Sequence, residues 1–413
     1  MIDVDEARRV ILASCPELAR ASLPLAQALG CVTAGRVVAG HDVPSFANSA
    51  MDGYAVRAAD TAGAPLTLEV VGTAAAGAAP GLAVAPGQTV RIMTGAVLPA
   101  GADAIVMVER TSSAEGNRVT IDVAAAPGDH VRHPGEDLRA GQVLFEPGTE
   151  LGPGHLGVLA SVGAHTVDVV PPARVGVLST GDELVAGPGE LRPGQIRDSN
   201  RPMLLALVAR AGCVPVDLGT TPDDEAAITA AIGRGVADCD AILTSGGVSV
   251  GDFDYVKTVL DRLGDMHWWQ VAVRPAKPLA FGTVRGPEGG SCRPVASPVF
   301  GLPGNPVSAL VSFELFARPA LRQMTGHRDV FRPEVPAIAD EPLRRQPDGK
   351  LHLVRVVATS DQDGRLHVRS SGGQGSHLLR AMALANALAL LPDGDGVHAG
   401  ETVKVLLMGS LEG

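Results

Sequence analysis

The spacing of apolar residues divides the chain into stretches of different period. Over residues 3 to 29, Val4, Ala7, Val10, Ile11 and Ala13 recur at helical spacing, and Pro24 precedes a short turn ending at Gly30. This spacing predicts helix. Residues 31 to 150 differ: apolar runs at 66–71, 89–93, 104–108 and 119–123, cut by Gly and Pro, predict a small β-rich unit. Residues 153–162 read as a short helix before Pro171-Pro172.

From Arg174 strands alternate with helices. Residues 175–179, 214–218 and 241–244 are short apolar runs that predict strands. A helix capped by Asp198 or Ser199 buries Met203, Leu204, Leu207 and Val208 and ends at Gly212. Thr221-Pro222 opens another, with Asp223, Asp224 and Glu225 in its first turn. Asn305-Pro306 opens a long helix ending near Gly326. Such alternation predicts βαβ units, a parallel sheet with helices on both faces, and a ligand at the carboxyl ends of the strands. Pro333 and Pro336 mark a linker, and residues 337–410 read as a small all-β domain.

Composition narrows the functions. The chain has 413 residues, 46% hydrophobic and only 3% aromatic, with a net charge of −11. That length allows several domains with substantial cores. Acidic balance and scarce aromatics argue against nucleic acid as a partner. No run of about 18 apolar residues exists to span a membrane, and Met1–Leu12 has no secretory pattern. Cys15, Cys31, Cys213, Cys239 and Cys292 lack metal-ligand spacing and read as reduced core thiols of a cytoplasmic protein.

Five segments carry candidate chemistry. Ser179-Thr180-Gly181-Asp182-Glu183 follows the first strand; its carboxylates suit a hydrated divalent cation, although a solvated turn needs no more. In Thr244-Ser245-Gly246-Gly247-Val248-Ser249-Val250-Gly251-Asp252-Phe253-Asp254 the glycines offer backbone N–H groups to phosphate oxygens. Asp252 and Asp254 beside an anion make sense if a cation bridges them. Arg274-Pro275-Ala276-Lys277-Pro278 fixes two cations on a stiff backbone, as an oxyanion site requires. Gly301-Leu302-Pro303-Gly304-Asn305-Pro306 joins a strand to a helix; capping explains Asn305 and Pro306 but not Pro303-Gly304. Asn48-Ser49-Ala50-Met51-Asp52-Gly53 is a polar loop around one carboxylate, and Arg91–Ala96 sets the Thr94 hydroxyl at a strand end. No P-loop, G-x-G-x-x-G fingerprint or Ser-His-Asp set is present.

Seven segments occur together in order: NSAMDGYAV (48–56), RIMTGA (91–96), STGDEL (179–184), QIRDSNR (195–201), TSGGVSVGDFDY (244–255), RPAKP (274–278) and GLPGNPVSA (301–309). Over nearly its full length the chain resembles the molybdopterin molybdenumtransferases (the MoeA family), bacterial enzymes of molybdenum cofactor synthesis related to the E domain of gephyrin. The resemblance implies a multidomain α/β plus β fold. Its parts would be an elongated N-terminal helical and linker unit (1–30 and 146–172), an inserted β-rich lobe (31–145), a three-layer α/β domain (173–326) and a C-terminal β-barrel (327–413).

It also implies a reaction. Adenylylated molybdopterin and molybdate are the substrates, Mg²⁺ supports cleavage of the adenylyl anhydride, AMP leaves, and molybdenum stays on the dithiolene sulfurs. Carried over by position, Asp52, Thr94, Glu183, Asp240 and Asp254 are the expected catalytic residues. Asp254, Asp252 and Glu183 are the expected metal ligands. Ser245, Gly246, Gly247, Ser249, Gly251, Arg274, Lys277, Pro303, Pro306, Arg355 and Ser376 are the expected binding residues. The family segment reads K-P-G-K-P; Arg274 replaces its first lysine, keeping the charge with a different shape. Residues 285–298 look inserted. The resemblance further implies a homodimer whose site lies between the α/β domain of one subunit and the Asp52 lobe of the other, and a molybdopterin adenylyltransferase as partner. The alternatives are an adenylyltransferase itself, which needs fewer domains, a gephyrin-like scaffold, which needs no carboxylate set, and insertion of tungsten in place of molybdenum.

Overall fold

In the computed structural model the structure describes residues 1–413 except 79–80, 248–254, 286–295, 363, 410 and 412–413. The first helix is Val4–Ala13, capped by Asp3, and does not reach residue 29. Pro16 lacks the N–H a continuing helix would use. Ala21–Pro24 is instead a strand, antiparallel to Thr166–Val170, whose other edge takes Val32–Thr33. Residues far apart in sequence thus form one small sheet. Val4, Ala7 and Ile11 are buried in the core of the α/β unit, so this helix seats on that unit.

The inserted segment holds a six-stranded sheet in the order Ala104–Met107, Gly53–Val56, Gln88–Ile92, Leu66–Ala74, Arg118–Ile121, Thr111–Ser113. Four of these strands fall on the runs that the apolar pattern marks.

The central sheet also has six strands, ordered Val214–Thr221, Arg174–Thr180, Ala241–Ser245, Ala296–Leu302, Pro278–Arg285, Gly264–Gln270. The first four are parallel and the last two antiparallel. The sheet is therefore mixed, not wholly parallel as expected, because Pro278–Arg285 returns directly against its neighbours without a crossover helix. Alternate strand residues feed two cores. Val175, Val177 and Leu243 pack with helix Asn200–Arg210 and the helical stretch after Pro306, whereas Leu178, Ile242 and Val299 pack with helices Glu225–Asp238 and Tyr255–Leu263.

Three further expectations are corrected. Strand Val214–Thr221 runs past residue 218, so the next helix starts at Glu225 with Asp224 as its N-cap, its side chain accepting from Ala227 N–H at 2.8 Å. The stretch after Pro306 is α, then one π turn at Phe313–Ala317, then α to Met324. The Pro333–Pro336 linker belongs to strand Glu334–Ala339, which pairs with Thr402–Leu407.

That pair forms part of a closed five-stranded barrel: Leu351–Ser360, Leu366–Ser370, Glu334–Ala339, Thr402–Leu407 and Ala387–Leu391, the last pairing back onto the first. Its interior takes Ala337, Ala339, Val356, Ala358, Val368, Ala387, Ala389, Val403 and Val405. Small residues suit so narrow a barrel. The expected all-β reading missed one short helix, Leu379–Leu384. Cys15, Cys31, Cys213 and Cys239 are buried and in no disulfide among the described residues, and burial pushes Cys15 and Cys213 up to about 12. Among the described residues no helix is long and apolar enough to cross a membrane.

Candidate active site

The four parallel strands end side by side at Thr221, Thr180, Ser245 and Leu302. The loops beyond them touch. Gly246, at φ +98°, donates its N–H to Leu302 O at 3.2 Å, and a methyl group there would meet Thr180 O at 2.7 Å. Only glycine admits so close an approach at that φ. Gly247 is also left-handed, at φ +67°. A methyl on Gly304 would lie 4.0 Å from Gly246 Cα, so the Pro303–Pro306 loop abuts the glycine pair. Ser249, Gly251, Asp252 and Asp254 lie outside the described residues.

Asn200, 8% exposed, ties this group together: its Nδ2 donates to Ser245 Oγ and to Gly304 O, each at 2.7 Å. Among the described residues, Asn200 Oδ1, Thr180 Oγ1, Thr221 Oγ1 and Thr244 Oγ1 are buried without a hydrogen-bond partner. Unspent polar atoms gathered at one end of a sheet indicate a place that a polar ligand completes. Behind them Asp198, its side chain 1% exposed, accepts from Ser179 Oγ (3.1 Å), Thr220 Oγ1 (2.8 Å), and Arg201 N and Nε (3.1 and 3.0 Å). Arg201 also pairs with Asp217. Sequence reasoning gave Asp198 a helix-capping role only and assigned none to Asn200 and Arg201, although QIRDSNR sets three polar, hydrogen-bonding side chains at a helix start. Of the two candidate caps, Asp198 is the one that bonds.

The acids divide. Glu183 is exposed and folds back so that its Oε2 would lie 2.5 Å from a methyl on Gly181. Asp182 Oδ1 accepts Asp223 N–H at 3.1 Å. Asp240 stands at the opposite end of its strand: its carboxylate accepts Arg174 N–H at 2.7 Å and its own N–H donates to Arg174 O at 2.7 Å. It fastens the amino ends of two strands, about 17 Å from their carboxyl ends at about 3.3 Å per residue. Asp240 was expected among the catalytic residues; it lies away from the loops that hold Ser245, Gly246 and Gly304. Among the described residues no three His, Cys, Asp or Glu side chains gather to hold a metal ion. Of the three expected ligands, Glu183 lies among the described residues.

The cations approach from the antiparallel side. Ala280 sits opposite Gly301, and continuing that register sets Lys277-Pro278 beside Pro303-Gly304. Lys277 and Arg274 are both exposed, and Ala276 between them is buried at φ +83°. The barrel contributes at the same place. Ser376 O accepts Val307 N–H at 3.1 Å, in the first turn of the helix that Pro306 opens. Arg355 is fully buried: its Nη2 donates to Gly373 O (2.6 Å) and Gly375 O (3.2 Å), while Nε and Nη1 have no partner among the described residues. Burial lowers its pKa, and no carboxylate of the described residues pairs with it.

Asp52 and Thr94 meet on the inserted lobe. Thr94 N–H and Oγ1 each donate to Asp52 Oδ1 at 2.7 Å. These bonds, the backbone one first, hold the Asp52 carboxyl below its ordinary range, and Arg91 adds to them. Among the described residues no hydrogen bond or ion pair joins this couple to the loops of the central sheet.

The fold defines a class: a multi-unit protein whose mixed α/β sheet is joined by a small closed β-barrel. Residues 2–163 match the model of the MoeA N-terminal region (domains I and II), 176–323 a "Probable molybdopterin binding domain", and 337–408 the MoeA C-terminal region (domain IV). The chain belongs to the molybdopterin molybdenumtransferase family. It is 39% identical to the molybdopterin molybdenumtransferase of Haemophilus influenzae, covering 98% of each chain. It is 42% identical to molybdopterin molybdenumtransferase 2 of Mycobacterium tuberculosis, covering 98% of this chain and 99% of that one. The crystal structure of the molybdopterin biosynthesis MoeA protein from Pyrococcus horikoshii superposes with a TM-score of 0.78 at 28% identity, over 98% of this chain and 100% of that one.

Proposed function

We propose that this chain inserts molybdenum into adenylylated molybdopterin, cleaving the adenylyl anhydride and releasing AMP. The observation that carries this reading is the meeting of three anion-directed features at one sheet end. These are the glycine turn at Gly246-Gly247 with Ser245, the cations Arg274 and Lys277, and the Pro303–Pro306 loop that Ser376 joins from the barrel. The Gly247 N–H, the Ser245 hydroxyl and the N–H groups of Gly304 and Asn305 hold phosphate oxygens, since Gly246 and Val307 donate theirs to Leu302 O and Ser376 O. Lys277 and Arg274 neutralise the molybdate dianion and the charge that develops as the anhydride breaks. Arg355 suits an oxyanion, since its Nε and Nη1 are buried without a partner or counter-charge among the described residues.

Magnesium at Glu183, with Asp252 and Asp254, would supply charge neutralisation on the anhydride. Asp52 and Thr94 of a second subunit complete the site in a homodimer acting in the cytoplasm. A molybdopterin adenylyltransferase is the donor of the substrate. The chain works as four units, 1–30 with 146–172, 31–145, 173–326 and 327–413.

The test is product analysis with adenylylated molybdopterin. AMP release that depends on molybdate is expected; consumption of ATP to adenylylate the pterin would overturn the reading.

A further inference from the structure

Arg274 has a charged neighbour outside its own segment. Its Nη1 lies 3.9 Å from Asp348 Oδ2, in the loop that leads into barrel strand Leu351–Ser360. The backbones there are paired: Val273–Arg274 runs parallel to Leu351–His352. The two side chains therefore start from a common frame.

Asp348 is itself held. Its Oδ1 accepts Arg345 Nη2 and His352 Nε2, each at 3.0 Å, and its Oδ2 accepts Lys350 Nζ at 2.7 Å. Lys350, then His352, bring its carboxyl down to about 2, so it stays ionised. Arg345, its side chain 1% exposed, anchors the loop by donating to the carbonyls of Lys350 (2.7 Å), Leu391 (3.0 Å) and Pro392 (2.8 Å). Arg274 is different: its side chain is 67% exposed and, among the described residues, donates no hydrogen bond. One edge of the guanidinium faces a rigid carboxylate and the other is unspent.

An ammonium carries its donors on one nitrogen, whereas a guanidinium presents two separate edges. Arginine can face a fixed carboxylate and an oxyanion at once. We infer that Asp348 is a positioning residue: it holds Arg274 so that the free edge meets the tetrahedral oxyanion beside Lys277. This rests on the reading that Arg274 and Lys277 receive molybdate. It also gives a physical reason for arginine at this position.

The experiment uses the full-length protein as wild type, Asp348→Asn, Arg274→Lys and the double variant, with KM for molybdate and kcat read from AMP release. Asp348→Asn should raise the molybdate KM about two- to fivefold, the span of an exposed ion pair, with kcat little changed. In the Arg274→Lys background the same substitution should change KM by less, because the bridged geometry is already gone. An equal change in both backgrounds would mean that Asp348 only steadies its loop, and would overturn the inference. Arg274→Ala separates the underlying reading: if it leaves the molybdate KM unaltered, molybdate does not bind at Arg274. If it raises KM but Asp348 shows no coupling, the reading stands and the positioning role falls.

Discussion

Thr94 directs both its N–H and its hydroxyl at one oxygen, Asp52 Oδ1, at 2.7 Å each. The other oxygen receives no hydrogen bond among the described residues. A carboxylate held by one oxygen and free at the other is oriented for a partner beyond its own loop. Asp52→Ala should lower turnover far more than stability, since the residue is exposed. Thr94→Ala should raise the Asp52 pKa only partway toward its ordinary value, because the backbone bond remains. Carboxyl chemical shifts against pH would measure this, and an unmoved pKa would show that the hydroxyl contributes nothing.

Asp198 is the structural counterpart inside the α/β unit. Its buried carboxylate serves two strand ends and a helix start through four hydrogen bonds. Asp198→Ala would leave Arg201 with only its more exposed partner Asp217 and would orphan two hydroxyls. A loss of about 3–5 kcal/mol, as for breaking a buried pair, is expected in denaturant titrations. A loss under about 1 kcal/mol would mean that the network is not coupled.

Ala276 occupies φ +83° while 2% exposed. Glycine would remove roughly 1–2 kcal/mol of left-handed strain. It would also give up about 0.8 kcal/mol of buried methyl and about 0.5–1 kcal/mol of backbone entropy. The terms cancel, so Ala276→Gly should leave the denaturation midpoint nearly unchanged. Ala276→Val, β-branched at the same φ, should cost over about 2 kcal/mol.

His327 joins the N-terminal part to the end of the long helical stretch. Its Nε2 is 3.2 Å from Glu150 Oε2 and its Nδ1 3.0 Å from Thr325 Oγ1. Burial first, then Arg322, depress its pKa, outweighing Glu150. The unfolded chain, with an ordinary pKa near about 6.5, then binds the proton more readily. Stability from this group is complete above that value and is lost as pH falls below it toward the folded pKa. Denaturant titrations at pH 7.5 and 5.5 should show a smaller drop for His327→Gln than for wild type; an equal drop would assign the pH dependence elsewhere.

Much of the site was legible because chain direction and strand ends are local properties. Ser179–Glu183, Ser245–Gly247 and Pro303–Pro306 each follow a short apolar run, and a parallel sheet places such ends together. The same logic sets Asp240 apart: it precedes its strand and so lies at the other end. Asp198 and Asn200 were passed over because hydrogen bonds to Ser179, Thr220, Ser245 and Gly304 join residues up to 104 positions apart. No periodicity records them.

Apolar period and turn residues by themselves determined the strand–helix alternation and the family motifs, because each depends on a few neighbouring side chains. The tertiary structure alone decided the rest. It turned Pro278–Arg285 antiparallel, ran a strand through Pro336, closed five strands into a barrel, and set Asp348 against Arg274 and Ser376 against Val307. Those outcomes depend on which surfaces find each other in three dimensions, where burial and backbone pairing between distant segments outweigh local preference.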